Sequence, residues 1–269
     1  MYLADYHTHS RISPDASFSM EEMAEAALAA GMDEICFTDH LEPVLWNSTT
    51  LRGPYDWAAL TAEFERAKAA VGDRIVIRLG LELGDACWSI PHTETLMEDA
   101  PPLDFIIGSV HLLPERYGVM DLYDFDPKTE EEAYDGVAAY LEQVGKMVSW
   151  GKFDVLGHLT LPQRYLNENR GWELSFDRFE AEMTDILRSL VERGLGLEVN
   201  TNRGNTPLPD GKWLRLYREL GGEAVTLGTD AHTLEFVGRA VREGQELLRQ
   251  CGFRRFCTFE RRRPVWHSL

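Results

Sequence analysis

Seven short apolar runs, recurring about every 30 to 45 positions with helical patterns between them, constrain the fold of this chain more than any other feature. The runs are Tyr2 to His7, Glu34 to Thr38, Ile75 to Leu81, Phe105 to Ser109, Val155 to Gly157, Leu195 to Asn200 and Ala224 to Thr229. Strand and helix alternating in this way predict parallel strands joined by crossover helices. Near-continuous Ile, Val, Leu and Phe content suits strands buried on both faces, as in an α/β barrel ringed by helices. With 269 residues, 44% of them hydrophobic, the chain is long enough for one substantial core, and a single domain spanning 1–269 is expected.

Helix start signals lie between the runs. Ser19 followed by Glu22 forms a capping box, and Met20, Met23, Ala24, Ala27 and Leu28 then share one face until Gly31 offers a stop. Thr129 with Glu132 repeats the device ahead of Val137, Tyr140, Leu141, Val144 and Val148. A third stripe, from Phe176 through Met183 and Leu187 to Leu190, ends before Gly194. Leu41 to Tyr55 and Leu112 to Asp126, each carrying Pro and Gly, predict long loops at the barrel mouth. The basic groups Arg254-Arg255 and Arg261-Arg262-Arg263, in a terminal alternating segment, read as a solvated face.

The chemistry is written at the strand ends, where barrels keep their active sites. The first run gives His7-Thr8-His9, and alternate residues of an extended segment share a face, so both imidazoles can address one ion. Later runs end in Thr38-Asp39-His40, Gly80-Leu81-Glu82, Ser109-Val110-His111, Gly157-His158 and Thr229-Asp230-Ala231-His232. A lone histidine at a strand end is commonly a hydrogen-bonded core residue, and a lone glutamate a surface charge. Six of the eight histidines falling in this pattern reverse that reading, because gathering so many ionisable groups without a cation is costly. Asp15, after Pro14, could simply shape a turn; its place beside the His7/His9 strand favours a ligand. His92 and His267 lie outside the pattern and read as exposed.

Composition narrows the partners. Forty-five acidic against 27 basic residues leave a formal charge of -18, which repels nucleic acid and anionic membrane surfaces, so an anionic substrate needs a local positive site. No apolar run approaches the roughly 18 residues of a spanning helix, and no basic leader precedes the first run, so the expectation is a cytoplasmic protein without nucleic-acid or membrane partners. Cys36, Cys87, Cys251 and Cys257 lack metal-binding or disulfide-scaffold spacing and read as reduced packing residues.

Read in order, these segments resemble the PHP (polymerase and histidinol phosphatase) superfamily, within it the histidinol-phosphatase branch. The likeness rests on Asp5-Tyr6-His7-Thr8-His9-Ser10, Phe37-Thr38-Asp39-His40, Gly80-Leu81-Glu82, Ile107-Gly108-Ser109-Val110-His111, Leu156-Gly157-His158-Leu159, Glu198-Val199-Asn200-Thr201 and Leu227-Gly228-Thr229-Asp230-Ala231-His232. It implies a distorted (β/α)7 TIM-like barrel holding up to three divalent ions. The implied division gives His7, His9, Glu82 and Asp230 to a first ion, and Glu82, His111 and His158 to a second. Asp15, His40 and His232 would hold a third. Mixed nitrogen and oxygen donors suit zinc, manganese or iron.

Such a cluster supplies hydroxide at neutral pH and positive charge for phosphoryl oxygens. Glu82, Asp230 and His232 are the expected catalytic residues around it. Arg164 and Arg203, each just after a strand end, match phosphate oxygens in a bidentate fork, and the resemblance implies that they clamp the substrate phosphate. The implied reaction is hydrolysis of L-histidinol phosphate to L-histidinol and phosphate, with Glu42, Asp85 or Asp121 meeting the substrate ammonium. Spacing and chemistry alone reach a metal-dependent hydrolase of a small phosphate ester. Two enzymatic alternatives stand beside it: a PHP phosphoesterase acting on another small phosphate ester such as a nucleotide, and an amidohydrolase-type C–N hydrolase, whose barrels also open with His-x-His. A metal-binding module without turnover is a third, and the complete ligand set argues against it.

Overall fold

A computed structural model describes residues 1–269. Strands β1 (Ala4–Thr8), β2 (Glu34–Phe37), β3 (His40–Leu41), β4 (Val76–Gly84), β5 (Phe105–Ser109), β6 (Val155–Leu156), β7 (Gly196–Asn200) and β8 (Val225–Gly228) alternate with helices. The helices are α1 (Met20–Ala29), α2 (Trp57–Val71), α3 (Ile90–Met97), α4 (Glu130–Trp150), α5 (Glu180–Arg193), α6 (Gly211–Glu219) and α7 (Val241–Gln250). The strands pair in parallel in the order β1-β2-β4-β5-β6-β7-β8, with β3 added to β4. A parallel bridge between Thr8 and Ala231 brings the two ends of the sheet together. The result is a nearly closed seven-stranded barrel, the distorted (β/α)7 fold expected from the run pattern.

The helix signals act as expected, with one difference. Ser19 and Glu22 form the reciprocal capping box, and Met20, Met23, Ala24 and Ala27 are buried. Each of the two methionines contributes about 1.5–3 kcal/mol when withdrawn from water, and each alanine methyl less. Thr129 accepts from Glu132 N, whereas the Glu132 carboxylate accepts from Lys128 N at 2.7 Å, so only half of the second box forms.

One stretch departs from the sequence reading, and the terminal segment adds a pairing that the reading did not include. Glu82 was expected at a strand end but lies inside β4, which continues to Gly84 because β3 and β5 supply partners on both sides. The terminal segment forms a hairpin, β9 (Arg255–Glu260) and β10 (Arg263–Ser268); Arg254, Arg255, Arg261 and Arg263 are exposed, as the sequence reading has them, while the apolar residues of β9 are buried. The Phe259 ring lies tilted against that of Phe105 at 5.0 Å, and its main chain brackets the Tyr6 hydroxyl, so β9 covers the N-terminal end of the barrel. Arg261 and Arg262 turn the hairpin at φ 52° and 64°, values that favour Gly or Asn. No helix is long and apolar enough to cross a membrane.

Candidate metal centre

All nine expected ligands converge at the C-terminal rim of the barrel. Glu82 is the hub: its Oε1 lies 3.3 Å from His7 Nε2, 3.3 Å from His111 Nε2 and 3.0 Å from His158 Nε2. Its Oε2 lies 3.4 Å from His9 Nε2 and 3.0 Å from His40 Nδ1. Asp230 Oδ1 faces His7, His9 and His232 at 3.6, 3.4 and 3.6 Å. Asp15 Oδ2 reaches His232 Nε2 at 3.0 Å and His40 Nε2 at 3.7 Å, completing the outer edge.

Local backbone explains how β8 delivers its pair. Asp230 sits in the left-handed region at φ 56°, which costs a non-glycine residue energy and persists where neighbours over-determine it. Its N–H donates to His7 O at 2.8 Å. The preceding Thr229 is held by the buried Asp5 carboxylate, through N at 3.0 Å and Oγ1 at 2.6 Å. The turn that aims Asp230 is thus bound to the strand that carries His7 and His9.

Partners on the far side of the rings orient the imidazoles. Glu198 Oε1 holds His7 Nδ1 at 2.7 Å, and Ser13 Oγ meets His9 Nδ1 at 3.0 Å. Ser13 Oγ in turn donates to Asp39, which also accepts from the Ser10 and Ser13 main-chain N–H groups. With Nδ1 occupied, each ring turns its Nε2 inward, and such outward partners normally fix the tautomer of ligating histidines. Neither Glu198 nor Asp39 carries a ligand signal of its own in the sequence. The available signal was a charged residue inside an otherwise apolar strand, two positions before Asn200.

The electrostatics reflect crowding. Burial opposes ionisation of Glu82 and Asp230, yet the surrounding histidines, and Arg164 for Asp230, hold both carboxyls well below the usual range. Burial likewise disfavours a charged His7, but Glu198, Glu82 and Asp230 outweigh it and raise its pKa well above the ordinary value. His9 goes the other way, lowered by burial and by the neighbouring His232 and His40. His7 Nε2, His9 Nε2, His40 Nδ1 and Glu82 Oε2 are buried without a hydrogen-bond partner. Unsatisfied lone pairs of this kind are costly unless something electropositive meets them, and mixed imidazole and carboxylate donors suit a divalent transition metal. Within 4.8 Å of one another lie the donor atoms of His7, His9 and Asp230, of His7, Glu82 and His158, of His40, Glu82 and His111, and of His9, His40 and His232. The residues present therefore fit metal binding.

A cavity of about 560 Å³ opens over the cluster, and both arginines line it. Arg164 comes from a single π turn, Gln163–Glu168, a rare element that often marks functional sites. Its guanidinium donates to Asn202 Oδ1 at 2.7 Å, to Asn200 Oδ1 at 3.0 Å and to Asp230 Oδ2. Arg203, at φ 57°, lies over the Phe236 ring at 5.0 Å, with Nε unpartnered.

Two expected ammonium partners are displaced. Glu42 is fully buried under His40 and Arg52, and Asp85 is spent on the His111 and Leu112 main-chain N–H groups, so neither lines the cavity; Asp121 does. His92 and His267 are outside the cluster as expected, but half-buried, with His92 on Arg52 O at 2.8 Å and His267 stacked on Tyr2. The four cysteines are unpaired.

Comparison with known proteins agrees with this architecture. The family model for the PHP domain matches residues 5–202. The chain is 30% identical to the histidinol-phosphatase of Lactococcus lactis subsp. lactis over 267 residues, covering 95% of this chain and 93% of that protein. It is also 30% identical to a probable histidinol-phosphatase of Deinococcus radiodurans, over 97% of this chain and 98% of the other. The crystal structure of the Lactococcus lactis histidinol phosphate phosphatase, complexed with zinc, L-histidinol and phosphate, superposes with a TM-score of 0.79 at 25% identity, covering 98% of each chain. A solved structure from Listeria monocytogenes, 20% identical, shares the fold with a TM-score of 0.75 over 89% of this chain and 99% of that one. A histidine- and carboxylate-lined barrel rim and matches across nearly the whole length lead to one assignment: the chain belongs to the PHP domain family, in its histidinol-phosphatase branch.

Proposed function

We propose that this protein hydrolyses L-histidinol phosphate to L-histidinol and phosphate. The observation that carries the reading is the junction of the Glu82-centred cluster with Arg164, which donates to Asp230 and lines the same cavity, in a chain matching histidinol-phosphatases over nearly its full length. All of 1–269 acts as one domain in this reading, because Asp230 and His232 lie beyond the residues matched by the family model.

His7, His9, Glu82 and Asp230 would hold one divalent ion, Glu82, His111 and His158 a second, and Asp15, His40 and His232 a third, with zinc, manganese or iron all compatible. Ions bound there supply hydroxide at neutral pH and positive charge toward the phosphoryl oxygens. Arg164 and Arg203 grip those oxygens through guanidinium N–H groups. Arg164 also fixes Asp230 Oδ2, leaving Oδ1 on the cluster side to orient the attacking water and take its proton. His232, held through Nδ1 by Asp230 O at 3.0 Å, flanks that carboxylate. The proposed setting is the cytoplasm, with a small phosphorylated substrate and no nucleic acid or membrane partner.

Phosphate release from L-histidinol phosphate, assayed beside nucleoside monophosphates on metal-loaded protein, tests this reading. Strong preference for histidinol phosphate is expected; efficient turnover of nucleotides with negligible turnover of histidinol phosphate would replace it with a nucleotide phosphoesterase.

A further inference from the structure

The cavity is bounded by two loops that are tied into one wall. Asn47, at φ 54°, accepts from Asp121 N through Oδ1 and donates from Nδ2 to Asp124 Oδ2, both at 2.6 Å. Val44, Leu112 and Val119 form a small apolar cluster of their own that joins the same loops, with Trp88 against it.

Five carboxylates line the cavity, Asp15, Asp121, Asp124, Glu168 and Asp230, and four are committed. Asp15 and Asp230 face the histidines, Asp124 takes the Asn47 amide, and Glu168 accepts from Asn202 and Asn205. Asp121 differs. Its Oδ1 accepts from Tyr123 N at 2.7 Å, while its Oδ2 has no protein partner and no cationic side chain pairs with it. A half-buried carboxylate with one oxygen unpartnered in the cavity lining offers an acceptor to an incoming cationic group. Glu42 and Asp85 cannot serve, being sealed beneath the imidazoles.

We infer that Asp121 is a specificity-determining residue that receives a primary ammonium on the non-reacting part of the substrate and so selects amine-bearing phosphomonoesters. The inference rests on the histidinol phosphate reading and deepens it. Phosphate held by the arginines and ammonium held by Asp121 orient a zwitterionic ester through two charged groups, whereas a nucleoside monophosphate offers no ammonium to the second contact.

The test compares kcat/KM for L-histidinol phosphate and for the matching ester without the amine, imidazolylpropyl phosphate, in wild type and Asp121→Asn. Asparagine keeps the acceptor for Tyr123 N–H and removes the charge. Wild type should favour the amine-bearing ester, and the variant should cut that preference about tenfold to a hundredfold, mainly through KM. An unchanged preference in the variant, or an equal loss on both esters, overturns the inference by reducing Asp121 to a loop-holding residue. Wild type that hydrolyses both esters equally well overturns it while leaving the reaction class intact. Wild type that hydrolyses neither ester yet cleaves nucleotides removes the parent reading, and this inference with it.

Discussion

Glu198 Oε1 lies 2.7 Å from His7 Nδ1, a residue 191 positions away, and Glu198 Oε2 accepts the His158 main-chain N–H at 2.6 Å. One buried carboxylate therefore sets the direction of a β1 imidazole and the position of the histidine two residues past β6. Gly228 makes room for it: a Cβ there would stand 2.3 Å from Glu198 Oε1 and 2.4 Å from the His7 Cβ. Glu198→Gln keeps the length of the side chain and loses its charge. It should weaken metal affinity about tenfold to a hundredfold, measured by competition with a chromogenic chelator, with activity recovering at excess metal. Unaltered affinity would leave Glu198 with a packing role only.

Arg164 and Arg203 line the same cavity but differ in their ties. Arg203→Ala should raise KM about tenfold with little change in kcat, the mark of lost substrate capture. Arg164→Ala should lower kcat as well, because it also frees Asp230 Oδ2. Steady-state kinetics on both variants separates the two; identical profiles would argue against a second role for Arg164.

Metal removal should destabilise the fold as well as stop turnover, since the rim concentrates buried donors that a cation satisfies. Each ion at a hundredfold excess over its Kd adds about 2.7 kcal/mol, and a chain of this size then melts about 5–10 °C higher. Differential scanning calorimetry with chelator, then with added zinc or manganese, reads the shift. A melting temperature indifferent to both treatments counts against a metal-built centre.

Away from the rim, Glu63 ties α2 to the segment after β1. Its carboxylate accepts from Arg11 at 2.8 Å, from Arg66, and from Met20 N at 3.3 Å. Burial alone would raise its pKa, but these partners lower it below 4.5. A depressed acid contributes stability that is present above its unfolded value and lost as pH falls through the folded one. Glu63→Gln should therefore cost about 1–2 kcal/mol at neutral pH, discounted for the exposed arginines, and progressively less in acid. Urea melts across this range check it; a penalty independent of pH would assign the effect to packing.

Much of the site was legible because its information is local. His7-Thr8-His9 and Asp230-Ala231-His232 present donor types two residues apart on extended backbone, and strand ends in a barrel share one rim, so the clustering of these side chains was readable from spacing and period. The seven barrel strands were legible for the same reason, since strands buried on both faces must be continuously apolar.

The remainder depended on contacts across the chain. β4 runs past Glu82 because β3 and β5 pair with it, a matter of long-range hydrogen bonds. The hairpin of β9 and β10 turns on Arg261-Arg262, residues that give no turn signal of their own. Nothing in the local pattern around Glu198 names His7, and nothing around Asp121 distinguishes it from Glu42 or Asp85. Burial and pairing between segments far apart in sequence decide these cases, because a carboxylate's role depends on which cation or N–H group the folded chain sets before it.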